Sequence, residues 1–261
     1  MKIYAVSYGE YKGCYEDDVV IPIQAGSVLI DTECIFFKDN KVKYISEKNT
    51  SYNELTAIYA VWKSIEMQDE FLGFCHYRRY FVKANSLSLF MLRLLRLSPI
   101  KFRNLKNIYD FYLSKTSRFL LSKQKDIDAV FPKKIDIPIT LQQHYDIYHD
   151  ASHYAKMLQI IDADFNYLSD IAHRCSNLNS GYFFNMGILK KGYFDSYCRE
   201  LFRFTEKIEL EFDGEIDSKH SRYIGYLSER FTNFYFHHLI ENEKISYIEM
   251  DVVLINNEIY L

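Results

Sequence analysis

Short apolar runs alternate along this chain with longer segments in which apolar residues recur every three or four positions. Ile3-Tyr4-Ala5-Val6-Ser7 is short, apolar and β-prone, and predicts a first, largely buried strand. Tyr8-Gly9-Glu10 follows as the loop at its C-terminal end, the place where open α/β sheets bind ligands. Val19-Val20-Ile21-Pro22-Ile23 predicts an extended segment interrupted by proline, and Ser46-Glu47-Lys48-Asn49 a polar loop. From Asn53-Glu54-Leu55 onward, Ile58, Val61, Trp62 and Ile65 recur at helical spacing and predict an amphipathic helix with Trp62 on its core side. That helix leads to Phe71-Leu72-Gly73-Phe74, a second short strand. Strand, loop, helix and strand in this order predict α/β architecture.

Further on, Ser88-Leu89-Phe90-Met91-Leu92-Arg93-Leu94-Leu95-Arg96-Leu97 mixes leucine with arginine, and residues 108–113 and 119–121 repeat that mixture with aromatic rings. Residues 128–132 predict another strand, running into a loop that carries Lys133 and Lys134. A helix is expected from Tyr154 to about Ile161, and a strand over 182–189 with the polar Asn185 inside it. Lys190-Lys191-Gly192 reads as a turn into a long helix, Tyr193 to about Glu211. After the acidic loop 213–217, Ser228 or its predecessors would cap a last helix over 231–240, with Glu229 and Arg230 in its first turn. Val252-Val253-Leu254-Ile255 predicts a closing strand.

Composition narrows the class. With 261 residues, 48% hydrophobic, and only 9 Gly and 4 Pro, the chain is long and apolar enough for one large globular domain, with or without an appendage. Five scattered cysteines without CxxC spacing suggest neither a disulfide framework nor a zinc site. The first residues show no signal-peptide pattern, and no run of 18 apolar residues occurs, so a cytoplasmic location is expected. Charge is polarised: residues 83–125 hold ten basic residues against the single acid Asp110, a segment charge of +9 that leaves −12 on the rest. Two readings of that segment stand: an interfacial element facing anionic lipid, or a helical subdomain whose leucines are core and whose arginines are solvated. No nucleic-acid recognition motif accompanies the charge, so nucleic acid is not an expected partner.

Candidate chemistry concentrates in Gly73-Phe74-Cys75-His76-Tyr77-Arg78-Arg79-Tyr80-Phe81. Glycine at a strand end would let backbone approach a ligand, adjacent arginines offer fork-shaped donors for phosphate, and tyrosines can stack on a base or sugar. The bland reading is an arginine–carboxylate network, with Glu47 or Glu54 as partner. His144, His149 and His153 invite a metal site, but only the last two have helical spacing and no zincin glutamate lies between them. Hydrogen-bonding histidines near a polar substrate fit better.

Several of these stretches share an order and spacing with a known family: residues 45–49, 54–59, Trp62-Lys63, the 73–81 run, Phe184-Asn185-Met186, Phe194-Asp195-Ser196-Tyr197-Cys198 and Ser228-Glu229-Arg230. Together they resemble the DUF4422 family of bacterial glycosyltransferases, encoded with capsule and O-antigen biosynthesis. The resemblance runs from Lys2 to about Ile255 and is weakest over 86–123. It implies a single GT-A-like domain over 1–261: a Rossmann-type mixed sheet flanked by helices, with a basic, mostly helical insertion at about 84–124. It also implies a UDP-sugar donor, UDP-galactose or UDP-galactofuranose; the transfer itself is expected to be inverting. Lipid-linked glycan acceptors in such pathways would place the enzyme in the cytoplasm, peripheral to the inner membrane, with the basic segment on the inner leaflet.

Most GT-A enzymes neutralise the leaving diphosphate with manganese or magnesium on an Asp-x-Asp motif. Here Asp126-Ile127-Asp128 and Asp162-Ala163-Asp164 fall at the wrong places in the order, and no metal site is assigned. His76, Tyr77, Arg78 and Arg79 occupy the expected place, so the arginines, helped by Lys48, are expected to carry the diphosphate. Asn185 and Met186, similar to the Asn-x-Gly strand of GT-A enzymes, would line the sugar. Ser7, Tyr8 and Glu54 would serve the nucleotide, Glu229 would be the base, and His144, His149, Arg222 and Arg230 are candidates on the acceptor side. The missing Asp-x-Asp keeps open a non-catalytic sugar-binding or assembly protein, or a transferase of another activated group.

Overall fold

The computed structural model describes residues 1–8, 14–30, 37–41, 44–64, 69–95, 105–212 and 221–255. Gly9, Glu10, Cys34, Ile65, residues 96–103, the acidic run 213–217 and His220 lie outside the described residues. Strands β1 (Lys2–Ser7), β2 (Val20–Gln24) and β3 (Phe37–Lys38) are parallel neighbours. Helices α1 (Asn49–Tyr52) and α2 (Leu55–Lys63) follow, then β4 (Phe71–His76), which lies parallel to β1. A tight turn at Tyr77-Arg78 sends the chain back as β5 (Arg79–Val82), paired through His76 and Arg79. Next come α3 (Ser86–Leu95), α4 (Leu105–Lys123), β6 (Ala129–Pro132) and β7 (Ile135–Asp136). Then follow α5 (Leu141–Tyr148), α6 (Ala151–Asp164), α7 (Asn166–Ser176), β8 (Ser180–Gly181) and β9 (Gly187–Lys190). The chain ends in α8 (Lys191–Glu211), α9 (Tyr223–Glu241) and β10 (Tyr247–Leu254).

Eight strands form one mixed sheet in the order β3-β2-β1-β4-β5-β10-β6-β9. Because β9 also pairs with β4, the strands β4, β5, β10, β6 and β9 close on themselves. Side chains alternate across the sheet, as the two-residue period of a strand requires. Tyr4, Val6 and Phe74 face the core shared with α2 and α6–α9, while Ile3, Ala5 and Cys75 face the core that includes Leu92 of α3 and Tyr109 and Leu113 of α4. The described helices of the basic segment, α3 and α4, are therefore a layer packed on the sheet. Helix α9 is buried along nearly its whole length and forms the spine of the other layer. Trp62 packs against that layer, its ring stacked on Phe202 at 5.5 Å. Among the described residues no helix is long and apolar enough to cross a membrane.

Several local expectations are corrected. The strand expected over 182–189 begins only at Gly187, because Phe184 and Asn185 have φ of 78° and 49°. Lys190 to Gly192 is no turn: β9 passes directly into α8. The last helix starts at Tyr223, so Glu229 sits well inside it rather than in its first turn, and Ser228 is buried in mid-helix rather than capping. Gly73 lies within β4, not at its end. A Cβ there would come within 2.7 Å of the Gly187 carbonyl, so its smallness serves β4–β9 packing and not a ligand. His149 ends α5 in extended geometry and His153 lies in α6, which breaks their supposed helical spacing. Helices α5 and α7 were not anticipated.

Candidate active site

Parallel pairing of β1, β2 and β4 brings Ser7, Gln24 and His76 out at one edge of the sheet. A cleft of about 510 Å³ opens there. Ser7, Tyr8, Ala25 and the hairpin residues His76 to Arg79 form one side; Asn49, Thr50, Asn53, Glu54, Ser221 and Arg222 form the other. Of the residues singled out from the sequence, eight converge here: Ser7, Tyr8, Glu54, His76, Tyr77, Arg78, Arg79 and Arg222.

Buried polar contacts shape the cleft. Asp39 is fully buried and accepts hydrogen bonds from the Gly26 and Ser27 amides (2.7 and 3.1 Å) and from the Ser27 and Ser46 hydroxyls (2.7 and 2.6 Å). This pins the turn after β2, where Gly26 has φ 65° and a Cβ would strike the Asn49 side chain at 2.7 Å. Across the cleft Asn53 holds φ 52°, a region that costs a non-glycine residue about 1–3 kcal/mol and persists only when its surroundings enforce it. The Asn49 side-chain amide donates to its carbonyl (2.5 Å), Arg222 Nε donates to its Oδ1 (2.9 Å), and Gly225 gives it room.

Behind the hairpin lies a second enforced conformation. Neutral or charged, His76 donates from Nε2 to the Phe184 carbonyl (2.5 Å), since that oxygen can only accept. The Phe184 backbone amide donates to Glu229 Oε2 (2.6 Å), and Asn185 Nδ2 of the side chain donates to Glu54 Oε1 (2.7 Å). Thr232 Oγ1 donates to Asn185 Oδ1 at 2.9 Å. The backbone turn at Phe184-Asn185 thus ties two acids and a histidine together. Arg79 lies over the Phe184 ring at 4.5 Å. Burial holds the His76 imidazolium below its ordinary range, with Arg79 and Arg78 adding to the effect. Burial also pushes the Glu229 carboxyl above its usual value, opposed by Arg230 and the Phe184 amide. With 23% of its side-chain surface open, Glu229 keeps a path to solvent. Burial and the neighbouring Arg78 lower the Arg79 guanidinium, which stays charged.

The remaining singled-out residues lie elsewhere. Lys48 Nζ donates to both Glu209 oxygens (3.0 and 2.7 Å) and does not line the cleft. Met186 is buried in the core on the α3 and α4 side. Arg230, 3% exposed, stands behind Glu229 at 3.7 Å and donates to His144 Nδ1 at 3.1 Å. His149 stacks on Tyr226 at 4.1 Å. Sequence reasoning missed Asn49, Thr50, Ser221 and the buried anchor Asp39. Gly26 after the second apolar run and the polar run 46–49 were the available signals.

Neither Asp-x-Asp run offers a free chelating pair. Asp126 pairs with Lys123, Asp128 with Lys190 and the Ser246 amide, Asp162 with His173 and Asp164 with Lys207. Among the described lining residues Glu54 is the one carboxylate, and no cluster of three ligating side chains occurs among the described residues. The described lining residues do not supply the ligand set of a GT-A divalent ion.

A family described as a domain of unknown function, DUF4422, matches residues 2–242. The chain belongs to the DUF4422 family. Among solved structures it resembles the apo form of the WbbM bifunctional glycosyltransferase, with a TM-score of 0.79 at 22% identity. That likeness covers 98% of this chain and 45% of WbbM, so this DUF4422 chain spans less than half the length of that relative. At this identity the two share a fold. No curated protein matches the chain.

Proposed function

We propose that the chain is a GT-A-type glycosyltransferase that moves a hexosyl group from a UDP-sugar, galactose or galactofuranose, to a lipid-linked oligosaccharide of capsule or O-antigen assembly. One observation carries the reading. The cleft at the carboxyl ends of the parallel strands presents Arg78 and Arg79 on a hairpin that is hydrogen-bonded, through Phe184, to a half-buried glutamate. The family membership and the fold shared with WbbM support it.

In this reading the uridine and ribose lie along Ser7, Tyr8 and Glu54, and the diphosphate meets the two guanidinium groups. As the acceptor hydroxyl oxygen attacks the anomeric carbon, the bond to the diphosphate breaks and its electron pair leaves with the phosphate oxygen. Arg78 and Arg79 stabilise that charge as it forms, the kind of preorganised electrostatics that dominates such reactions. The hydroxyl proton passes to Glu229, whose raised pKa brings it closer to the range in which a base works best. Attack from the face opposite the leaving group inverts the anomeric centre. Exposed Leu87, Phe90, Met91 and Leu94 on α3, beside Arg93, would rest on the inner leaflet.

Thermal stability measured against a panel of nucleotide sugars, with products followed by mass spectrometry, tests the reading. A UDP-hexose is expected to stabilise the chain and to be consumed in the presence of a lipid-linked acceptor. Stabilisation without turnover under any acceptor would favour a sugar-binding protein, and no response to any nucleotide sugar would sink both. Activity abolished by a chelator and restored by manganese would remove the arginines from sole charge of the diphosphate.

A further inference from the structure

A second cleft, of about 380 Å³, opens on the other side of Arg79. Four cationic side chains line it: Arg79 from β5, Arg93 from α3, and Lys133 and Lys134 from the loop after β6. Asp251 of β10 is the lining carboxylate, and it is shared: Lys133 Nζ stands 2.7 Å and Arg93 3.7 Å from its two oxygens. One acid cannot neutralise four cations, so the described lining residues carry a net charge of about +3 at neutral pH. Lys134 lies over the Tyr182 ring at 5.1 Å and Arg79 over Phe184 at 4.5 Å, which leaves their N–H groups available to an anion. Arg93 and Lys133 are more than half exposed and can reorient towards a ligand.

The neighbourhood adds chemistry. On α3, Leu89 and Leu92 point into the core, while Leu87, Phe90, Met91 and Leu94 form an exposed stripe on the opposite side. Arg93 falls between the two, so the basic cleft opens beside an apolar face.

We propose that this second cleft binds a phosphate- or diphosphate-bearing ligand, and that it is the acceptor's anionic group which Arg93, Lys133 and Lys134 hold there. The assignment to an acceptor rests on the glycosyl-transfer reading; the anion site itself does not. Arg79 lines both clefts, so it separates a donor diphosphate from an acceptor phosphate and neutralises the side on which charge develops. The glycan attached to the anion would extend past Phe184 towards Glu229, which the Phe184 amide holds. An anion on a membrane lipid and one on a soluble intermediate share this chemistry; the exposed α3 stripe favours the lipid.

The test uses the full chain and inorganic pyrophosphate, titrated calorimetrically into protein saturated with UDP. Binding of one further equivalent is expected. In the double variant Lys133→Gln, Lys134→Gln its Kd should rise at least about tenfold, the loss expected for a hydrogen bond to a charged group, while the stabilisation by UDP stays unchanged. Arg78→Gln should instead weaken UDP and spare the second equivalent. Pyrophosphate binding that ignores Lys133 and Lys134, or no second equivalent at all, overturns the proposal. If UDP fails to bind but the double variant still loses pyrophosphate, the glycosyl-transfer reading falls and the anion site stands. Sedimentation with phosphatidylcholine vesicles, with and without phosphatidic acid, identifies the source. Binding that needs both phosphatidic acid and the two lysines supports a lipid-borne anion; pyrophosphate binding without vesicle binding supports a soluble one.

Discussion

Glu229 illustrates how much of the site depends on single side chains. Its carboxylate accepts from the Phe184 amide, and a glutamine there would keep that acceptor while losing the charge. Glu229→Gln is therefore expected to lower turnover by about 10²–10⁴-fold, the usual worth of a general base, with donor binding retained in the same thermal-shift assay. Retained turnover would remove it as base. Because the base must be ionised, turnover in the wild type should fall as pH drops through the raised Glu229 pKa. Stability runs the other way. A carboxyl raised on folding above the ordinary value of 4.5 favours the native state at pH below that value, and this contribution is lost as pH rises through the folded-state pKa. The melting temperature of Glu229→Gln relative to wild type should thus improve between pH 4 and pH 8. Glu229 was legible as a candidate, but its setting was not. The left-handed turn at Phe184-Asn185 follows strand-like residues, and a donor from β4 with acceptors from α9 and the residue preceding α2 overrules their local preference.

At the scale of elements, the hairpin of β4 and β5 and the start of α9 form opposite sides of the cleft. The hairpin was readable because its arginines and aromatics are contiguous. The start of helix α9 was read eight residues too late, since Gly225 and Ser228 look like breakers and caps. Both are buried contact positions in a helix that packs on almost every side. A Cβ at Gly225 would clash with Asn53 Nδ2. Gly225→Ala should displace Asn53 and with it the Arg222 contact, destabilising the fold by about 1–3 kcal/mol as overpacking does. The expected signature is a lowered melting temperature together with weaker UDP binding. Unchanged UDP affinity would show that the Asn53–Arg222 wall is dispensable. Helix α5 carries its signal in its cap and not in its apolar spacing: Thr140 and Gln143 form a capping box at its start.

For the whole molecule, the polarised charge left two readings of the 84–124 segment, and the packing bears on how to test them. Leu92, Leu113 and Leu120 are buried against the sheet, and Tyr109, fully buried, donates from its hydroxyl to the Leu92 carbonyl at 2.9 Å. Burying three leucines contributes roughly 5–9 kcal/mol, comparable with the total stability of a domain, about 5–15 kcal/mol. Deleting the segment would unfold the protein and say nothing about membranes. The informative variant changes only the exposed stripe: Leu87→Ser, Phe90→Ser and Leu94→Ser, residues 72%, 57% and 45% exposed. Each should leave stability within about 0.5 kcal/mol, as surface changes do. If α3 rests on lipid, the triple variant should lose sedimentation with anionic vesicles, and the wild type should lose it at high salt, where surface attraction is screened. Sedimentation that survives in the triple variant with an unchanged melting temperature would move the membrane contact off α3. A wild type that never sediments would leave the basic layer as solvated surface and point the second cleft towards a soluble anion.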